Sequence, residues 1–124
     1  MTDLTPSTNV VLFVCPHGAG KSRMAAAFFN AEAPEDWSAT TAGLEPQDQV
    51  SLHAPRLLAG TPAASYLDTA LPRPLAAVAD PARVIAIDCE VGGGEAWLLE
   101  QGGFDGAMRD EIAERVRMLI QEVG

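Results

Sequence analysis

The sequence is short of cysteine, of metal-ligand pairs and of long apolar stretches. Its only two cysteines, Cys15 and Cys89, are too few for a disulfide framework. It has no Cys-x-x-Cys pair and no closely spaced histidines, so no metal is expected. No apolar run approaches the roughly 20 residues that cross a bilayer. Residues 1–9 contain no basic residue, so we expect neither a signal nor a transit peptide and predict a cytoplasmic protein.

Basic residues are also scarce. Eight Lys and Arg residues face 17 Asp and Glu residues, which gives a formal net charge of −9. Such a chain has no general attraction for nucleic acid or for an anionic membrane, and neither is expected as a partner. Any anion must therefore be captured by local geometry. Lys21 is the only lysine in the chain.

Apolar periodicity indicates an α/β fold. Residues 10–14 and 83–88 are apolar and β-branched, as in strands buried on both faces of a sheet, and residues 37–42 and 95–100 are further predicted strands. Residues 21–32, 54–59 and 108–123 are predicted helices. The alternation predicts a doubly wound parallel sheet covered on both faces. We expect one domain over residues 1–124, with residues 1–9 as a flexible N-terminus.

A glycine-rich loop follows the first predicted strand, at the sheet edge where ligands of such folds bind. Successive N–H groups of small residues can curl around an anion, and the N-terminus of the next helix adds partial positive charge. Lys21 adds a full charge, and the Ser22 hydroxyl is expected to cap the helix and to donate into the loop. The predicted oxyanion-binding residues are Pro16, His17, Gly18, Ala19, Gly20, Lys21 and Ser22.

Cys15 stands at the mouth of this loop. The N–H dipoles and Lys21 favour its thiolate form, which predicts a nucleophile that needs no histidine base. One alternative is a buried structural thiol at a strand end. Another is a nucleotide-binding P-loop, because Gly20-Lys21-Ser22 matches the end of G-x-x-x-x-G-K-[ST]. The first glycine of that motif would fall on Cys15, and Pro16 with His17 would narrow the phosphate cradle.

The segment from Val11 to Ala27 resembles the active-site segment of the low-molecular-weight protein tyrosine phosphatases. It is most similar to their relatives, the thiol-dependent arsenate reductases, whether coupled to thioredoxin or to mycothiol. The family pattern is V-L-F-V-C, five residues, then Arg-Ser, and the form C-x-H-N-A-G-R-S-Q-M-A-A-A nearly superimposes on this chain. More faintly, Ala42-Gly43 to Pro46 is similar to the family's S-A-G-x-x-P, and Arg109-Asp-Glu-Ile112 to its R-D-E-I.

This resemblance implies a four-stranded parallel sheet with helices on both faces. Cys15 would attack the phosphorus of an aryl phosphate such as phosphotyrosine, or the arsenic of arsenate, while Ser22 steadied the thiolate. The first functional prediction is a phosphatase, with a phosphoprotein as partner. The second is an arsenate reductase with a thiol-redox partner. The third is an inactive oxyanion-binding or regulatory protein. No cofactor is expected, apart from a thiol reductant if arsenate is reduced.

Three departures from the family pattern weaken the phosphatase prediction. Lys21 replaces an Arg, whose planar fork grips two oxyanion oxygens at once. Gly18 replaces an Asn whose side chain braces the loop. No Asp-Pro follows Trp97, so the general acid is missing, and Glu100 and Asp105 are the nearest candidates.

Arsenate reduction instead requires a second thiol to resolve the intermediate. Cys89 is the internal candidate, because it ends a predicted central strand at the same sheet edge as the loop. The alternative is a core thiol, in which case a small external thiol would resolve the intermediate.

Overall fold

The computed structural model describes residues 9–18, 20–46, 51, 53–78, 80–100 and 103–123. The predicted flexible N-terminus lies outside the described residues except for Asn9. That residue already begins the first strand, and its N–H donates to the Asp36 carbonyl at 2.9 Å.

Within the described residues, four strands and three α-helices form in the predicted order. The strands are β1 (Asn9–Cys15), β2 (Trp37–Gly43), β3 (Arg83–Ile87) and β4 (Glu95–Trp97). The helices are α1 (Lys21–Glu32), α2 (His53–Leu58) and α3 (Gly106–Val123), with 3-10 turns at Ala64–Tyr66 and Leu75–Ala77. Helix α1 has its predicted bounds, whereas β4 ends before residue 100. Helix α3 begins earlier than predicted because the Asp105 side chain accepts the Met108 N–H at 3.1 Å and so caps it.

The strands form one parallel sheet in the order β2-β1-β3-β4. Strand β1 lies in the middle, with β2 on one side and β3 on the other. The chain therefore changes direction across the sheet at β1, and a crevice opens beyond its carboxyl end. The predicted four-stranded parallel α/β fold is confirmed.

Alternate residues of β1 face two separate apolar clusters, as the two-residue period of a strand requires. Val11 and Phe13 belong to the larger cluster, together with side chains of α1, α2 and α3. Leu12 and Val14 belong to the smaller one, which Leu75 of the 3-10 turn helps to cover. The helical cover of this second face is thus a single turn within the Pro-rich connection.

Of the helices in the described part of the chain, none combines the length and the hydropathy that a membrane span requires.

Candidate active site

Cys15 is the last residue of β1 and lies at the crevice where the sheet order reverses. Its side chain is 4% exposed, and its Sγ lies 3.2 Å from the Oγ of the buried Ser22. When Cys15 is a thiolate, the Ser22 hydroxyl is the donor in this hydrogen bond. The pair therefore has the arrangement that the resemblance implied.

The N-cap of α1 is Gly20 and not Ser22, so the predicted capping role of Ser22 is wrong. Ser22 already lies inside the helix, and no side chain caps the helix at Gly20. The N–H groups that begin a helix have no carbonyl partners within it, and those of α1 directly follow the loop. They supply the partial positive charge expected of an anion site. Ala19, predicted to contribute an N–H group, lies outside the described residues.

The loop is packed directly against the end of β2. Gly18 has a φ of +66°, and a Cβ built on it would lie 2.8 Å from the Gly43 nitrogen. A Cβ on Gly43 would lie 2.5 Å from the Gly18 nitrogen in turn. The two backbones can approach this closely only because both residues are glycine. Position 18 therefore has no room for the asparagine of the family pattern.

Arg23 supports the loop from beneath. It is 1% exposed, its Nε donates to the Gly18 carbonyl at 2.8 Å, and its Nη1 donates to the Asp68 carbonyl at 2.6 Å. Burial lowers the pKa of the Arg23 guanidinium, and the nearby charge of Arg73 lowers it further. The charges of Asp68 and Cys15 act in the opposite direction. The side chain remains charged, because arginine does not lose its proton in proteins. A buried cation thus holds the loop carbonyl.

Asp68 connects this underside to β2. Its Oδ2 accepts a hydrogen bond from Arg73 Nη2 at 2.8 Å, and Arg73 Nη1 donates to the Thr41 carbonyl at 2.9 Å. Burial alone would raise the pKa of Asp68, but the hydrogen bond from Arg73 and the nearby charges outweigh it and hold the pKa below its usual value. The network fixes the loop, the Pro-rich connection and β2 to one another.

At the mouth of the loop, Lys21 forms an ion pair with Asp88, the residue directly after β3. The two side chains are 22% and 26% exposed. The other carboxylate oxygen of Asp88 accepts the Leu99 N–H at 2.8 Å, which fixes its orientation. Asp88 has a φ of +55°, a conformation that aspartate tolerates better than most residues. The only lysine of the chain is therefore held by a carboxylate that directly follows β3.

A pocket of about 300 Å³ opens above the thiol. It is lined by Cys15, Pro16, His17, Gly20, Lys21, Ser51 and Phe104. The Phe104 ring lies so close to the loop that a Cβ on Gly20 would be 2.7 Å from its Cζ. His53 packs against the other side of the ring, with 5.9 Å between ring centroids. His17 Nδ1 lies 3.2 Å from the Glu45 carbonyl oxygen.

Cys89 follows Asp88 at the same edge of the sheet. Its Sγ lies 3.7 Å from the carbonyl oxygen of Val14, the residue before Cys15. Burial raises the pKa of the Cys89 thiol, and the negative charges of Cys15 and Asp88 add to this. Both cysteines are free. Cys15 is thus the last residue of β1 and Cys89 lies two residues beyond the adjacent strand β3. Cys15 belongs to the larger apolar cluster, whereas Cys89 packs against the smaller one.

Solved structures of two related activities share this fold. An arsenate reductase from Archaeoglobus fulgidus DSM 4304 is 32% identical, with alignment over 90% of this chain and 98% of that one and a TM-score of 0.71. The chain belongs to the family of low-molecular-weight protein tyrosine phosphatases and thiol-dependent arsenate reductases. No protein-family model matches the chain, and the search of curated proteins gives no significant match.

Two further solved structures share the fold. The thioredoxin-dependent arsenate reductase of Corynebacterium glutamicum is 24% identical over 98% of this chain, with a TM-score of 0.72, and the alignment spans only 64% of that protein. The low-molecular-weight protein tyrosine phosphatase of T. tengcongensis is 20% identical over 94% of this chain and 97% of that one, with a TM-score of 0.65. At these identities the likeness shows the fold alone.

The two candidate acids lie outside the pocket lining. The Asp105 carboxylate caps α3, and the Glu100 N–H bonds to the Glu111 carboxylate at 2.9 Å. Neither residue was brought next to Cys15, so their role as general acid stays a prediction. Among the described residues, no three His, Cys, Asp or Glu side chains are grouped as metal ligands would be.

The residues of this site that were not predicted from the sequence include Arg23, Asp68, Asp88 and Phe104, as well as Ser51 and Arg73. One signal was available for Arg23, because it occupies the position of a Gln in the family form and lies next to the other substitutions. Phe104 directly follows Gly102-Gly103 in the sequence, and an aromatic residue is the one unusual feature of this otherwise typical loop sequence. Asp88 ends the predicted strand 83–88, which places it at the same sheet edge as the loop, whereas no pattern in the sequence indicates that Asp68 approaches α1.

Proposed function

We propose that this protein is a thiol-dependent arsenate reductase in which Cys15 is the nucleophile and Cys89 is the resolving thiol. The observation that carries the proposal is the position of Cys89, whose Sγ lies 3.7 Å from the carbonyl oxygen of the residue preceding Cys15. An internal second thiol can resolve the arsenic intermediate of a reductase, whereas a phosphatase has no use for one. The 32% identity to the Archaeoglobus arsenate reductase supports the same choice.

The reaction balances with the groups at hand. Arsenate is held by the loop N–H groups and Lys21, and the Cys15 thiolate attacks arsenic while one arsenate oxygen leaves as water after protonation. The Cys89 thiolate then attacks Cys15 Sγ. The electron pair of the S–As bond passes to arsenic, which leaves as arsenite, and a Cys15–Cys89 disulfide forms. An external thiol must reduce this disulfide, and it is the only co-reactant.

We assign the first attack to Cys15, because burial and, to a lesser extent, the charges of Cys15 and Asp88 raise the pKa of the Cys89 thiol and disfavour it as the first nucleophile. Once Cys15 sulfur is bonded to arsenic, one of these opposing charges is removed. Both thiols must be reduced at the start, which suits a reducing cytoplasm as the working compartment.

A second candidate is hydrolysis of an aryl phosphate by Cys15. The observation in its favour is the Phe104 ring, which forms an apolar wall beside the loop on which an aryl group could stack. The engaged Asp105 carboxylate weighs against it, because a phosphatase without a general acid loses about 10²–10⁴-fold in rate.

One paired assay separates the candidates. Arsenate-dependent consumption of an external thiol and hydrolysis of a generic aryl phosphate are measured for the parent, Cys15→Ser and Cys89→Ser. We expect the parent to consume thiol, Cys15→Ser to be inactive, and Cys89→Ser to stop after one covalent step. Rapid aryl phosphate hydrolysis that is unaffected by Cys89→Ser would favour the phosphatase. Inactivity in both assays, with stabilisation by phosphate, would leave an oxyanion-binding protein.

A further inference from the structure

The ion pair between Lys21 and Asp88 places a carboxylate beside a site built for anions. Asp88 itself lies outside the pocket lining, but Lys21 lines the pocket together with Cys15, and the Lys21 Nζ is in hydrogen-bond contact with Asp88 Oδ2. An oxyanion that contacts the Lys21 ammonium is therefore brought within about two hydrogen-bond lengths, roughly 6 Å, of this carboxylate. At such a distance, near a partly buried pair, one negative charge repels another appreciably.

The carboxylate is fixed in this place by the fold. Asp88 Oδ1 accepts the Leu99 N–H at 2.8 Å, and the Asp88 N–H donates to the Trp97 carbonyl at 2.9 Å. Both contacts come from the segment around the end of β4, so Asp88 cannot swing away when an anion enters. Its Oδ2, bonded to Lys21, still has a free lone pair, because each carboxylate oxygen accepts two hydrogen bonds.

We infer that Asp88 is a specificity-determining residue, which makes the site select oxyanions that carry a proton. Such an anion donates its O–H to Asp88 Oδ2 while its other oxygens accept from Lys21 and the loop. A fully deprotonated anion has no hydrogen to donate and meets the carboxylate as an uncompensated charge. Arsenate and phosphate at neutral pH carry at least one O–H group, whereas sulfate carries none.

This inference rests on the proposed oxyanion site and names the form of substrate that the site takes. It also accounts for the pairing of the chain's only lysine with a carboxylate. A single ammonium next to a free loop would attract every small oxyanion in the cell. In the ion pair, the Asp88 carboxylate offsets the attraction of Lys21 for anions. A protonated oxyanion still binds, because it can form hydrogen bonds with both side chains. Selectivity of this kind arises from an acceptor that the wrong anion cannot satisfy.

The test compares binding of inorganic phosphate and inorganic sulfate to the reduced protein at pH 7 and constant ionic strength, by titration calorimetry. The variant is Asp88→Asn, which keeps the side-chain shape and tolerates a positive φ as aspartate does. The matched control is Glu90→Gln, which removes the same charge two positions along the chain at an exposed residue.

We expect the parent to bind phosphate at least about tenfold more tightly than sulfate, the value of one hydrogen bond to a charged group. In Asp88→Asn, sulfate affinity should rise and the ratio should fall to within about threefold. Glu90→Gln should keep the parent ratio. Equal binding of the two anions by the parent, or an unchanged ratio in Asp88→Asn, would overturn the inference.

Lys21→Gln provides a second readout if Asp88→Asn does not fold. Without the ammonium, Asp88 is unopposed, so affinity for both anions should fall and the preference for phosphate should grow. A smaller or unchanged preference would contradict the assigned role. Failure of the proposed function is a separate result: a protein that selects phosphate over sulfate but consumes no thiol with arsenate would refute arsenate reduction and leave this selectivity intact.

Discussion

Lys21 and Arg23 are two residues apart in the first turn of α1, yet they serve opposite sides of the same loop. Lys21 is 22% exposed at the mouth, where Asp88 holds it. Arg23 is 1% exposed on the underside, where it holds the Gly18 carbonyl. Positions i and i+2 of a helix lie on different faces, so one cation can meet the ligand while the other supports the backbone. We therefore expect Lys21 to govern anion binding and Arg23 to govern stability.

The largest effect is expected at the underside. Arg23→Met keeps the side-chain length but removes the two hydrogen bonds that the buried guanidinium donates to the carbonyls of Gly18 and Asp68. We expect the free energy of unfolding to fall by about 3 kcal/mol, since such bonds contribute about 1.5–3 kcal/mol each. Phosphate binding should weaken as well, because the loop loses its support. Denaturant unfolding measures the first effect and calorimetry the second.

Arg117→Met is the matched control, since Arg117 is 58% exposed on α3. It should change stability by less than about 0.5 kcal/mol. If Arg23→Met were as stable as this control, the assignment of Arg23 to the support of the loop would be wrong.

The next effect concerns the contact between the loop and β2. Gly43→Ala would place a Cβ 2.5 Å from both the Gly18 nitrogen and the His17 carbonyl carbon. Both are backbone atoms that cannot move aside cheaply, so we expect a loss of about 2 kcal/mol and a displaced loop with weaker phosphate binding. Gly92→Ala is the control, because a Cβ there meets nothing within 4 Å. Equal melting temperatures for the two variants would refute this tight contact.

For Lys21, at the mouth of the loop, we expect a larger effect on phosphate binding than on stability. Lys21→Gln should lower the affinity for phosphate by about tenfold, the loss of one charge-assisted hydrogen bond. Its melting temperature should stay close to that of the parent, because a partly exposed ion pair contributes only about 0–1 kcal/mol. A large loss of stability with unchanged phosphate binding would show that the two cations have been assigned the wrong way round.

The smallest expected effect is on the pH dependence of the free energy of unfolding. The lowered pKa of Asp68 means that its contribution to stability is present above the ordinary aspartate pKa of about 3.9 and is lost as the pH falls through its lower folded value. Arg73→Gln removes the hydrogen bond that lowers this pKa. The variant should therefore lose less stability than the parent between pH 5 and pH 2, in parallel denaturant titrations. A steeper loss in the variant would contradict this account.

The elements that sequence reasoning located well are those whose own residues determine them. Strand β1 and helix α1 have apolar periodicity, a glycine-rich boundary and a proline after the helix, so local physics defines their ends. The Pro-rich connection has no such periodicity. Its contribution to the second apolar cluster, through Leu75, depends on the sheet that it covers.

The candidate site was predicted only where it is contiguous in sequence. Cys15, Lys21 and Ser22 lie on one loop, and Cys89 was placed correctly at the same sheet edge because parallel strands share one direction. Asp88 meets Lys21 across 67 positions, and Asp68 meets Arg23 across 45. Asp88 could have been placed by the same argument, because it ends the predicted strand 83–88, whereas Asp68 lies in the Pro-rich connection and carries no local pattern.

Arg23 was missed for a related reason. A basic residue in the first turn of a helix ordinarily faces solvent, since burial of a charge is unfavourable unless it is paired. Here the Gly18 and Asp68 carbonyls accept its hydrogen bonds. The Gly18 carbonyl belongs to the loop that packs against Gly43, and the Asp68 carbonyl belongs to the Pro-rich connection. The inward direction of Arg23 therefore follows from tertiary contacts.

The central claim, that Cys15 and Cys89 act together on an oxyanion, is tested most directly by a single turnover without external thiol. Fully reduced protein is mixed with excess arsenate, and arsenite release and the intact mass of the chain are measured over time. We predict one arsenite per chain and a protein lighter by two hydrogens, with the disulfide joining Cys15 to Cys89. Arsenite release from Cys89→Ser at the parent rate, or no disulfide in the parent, would contradict the account.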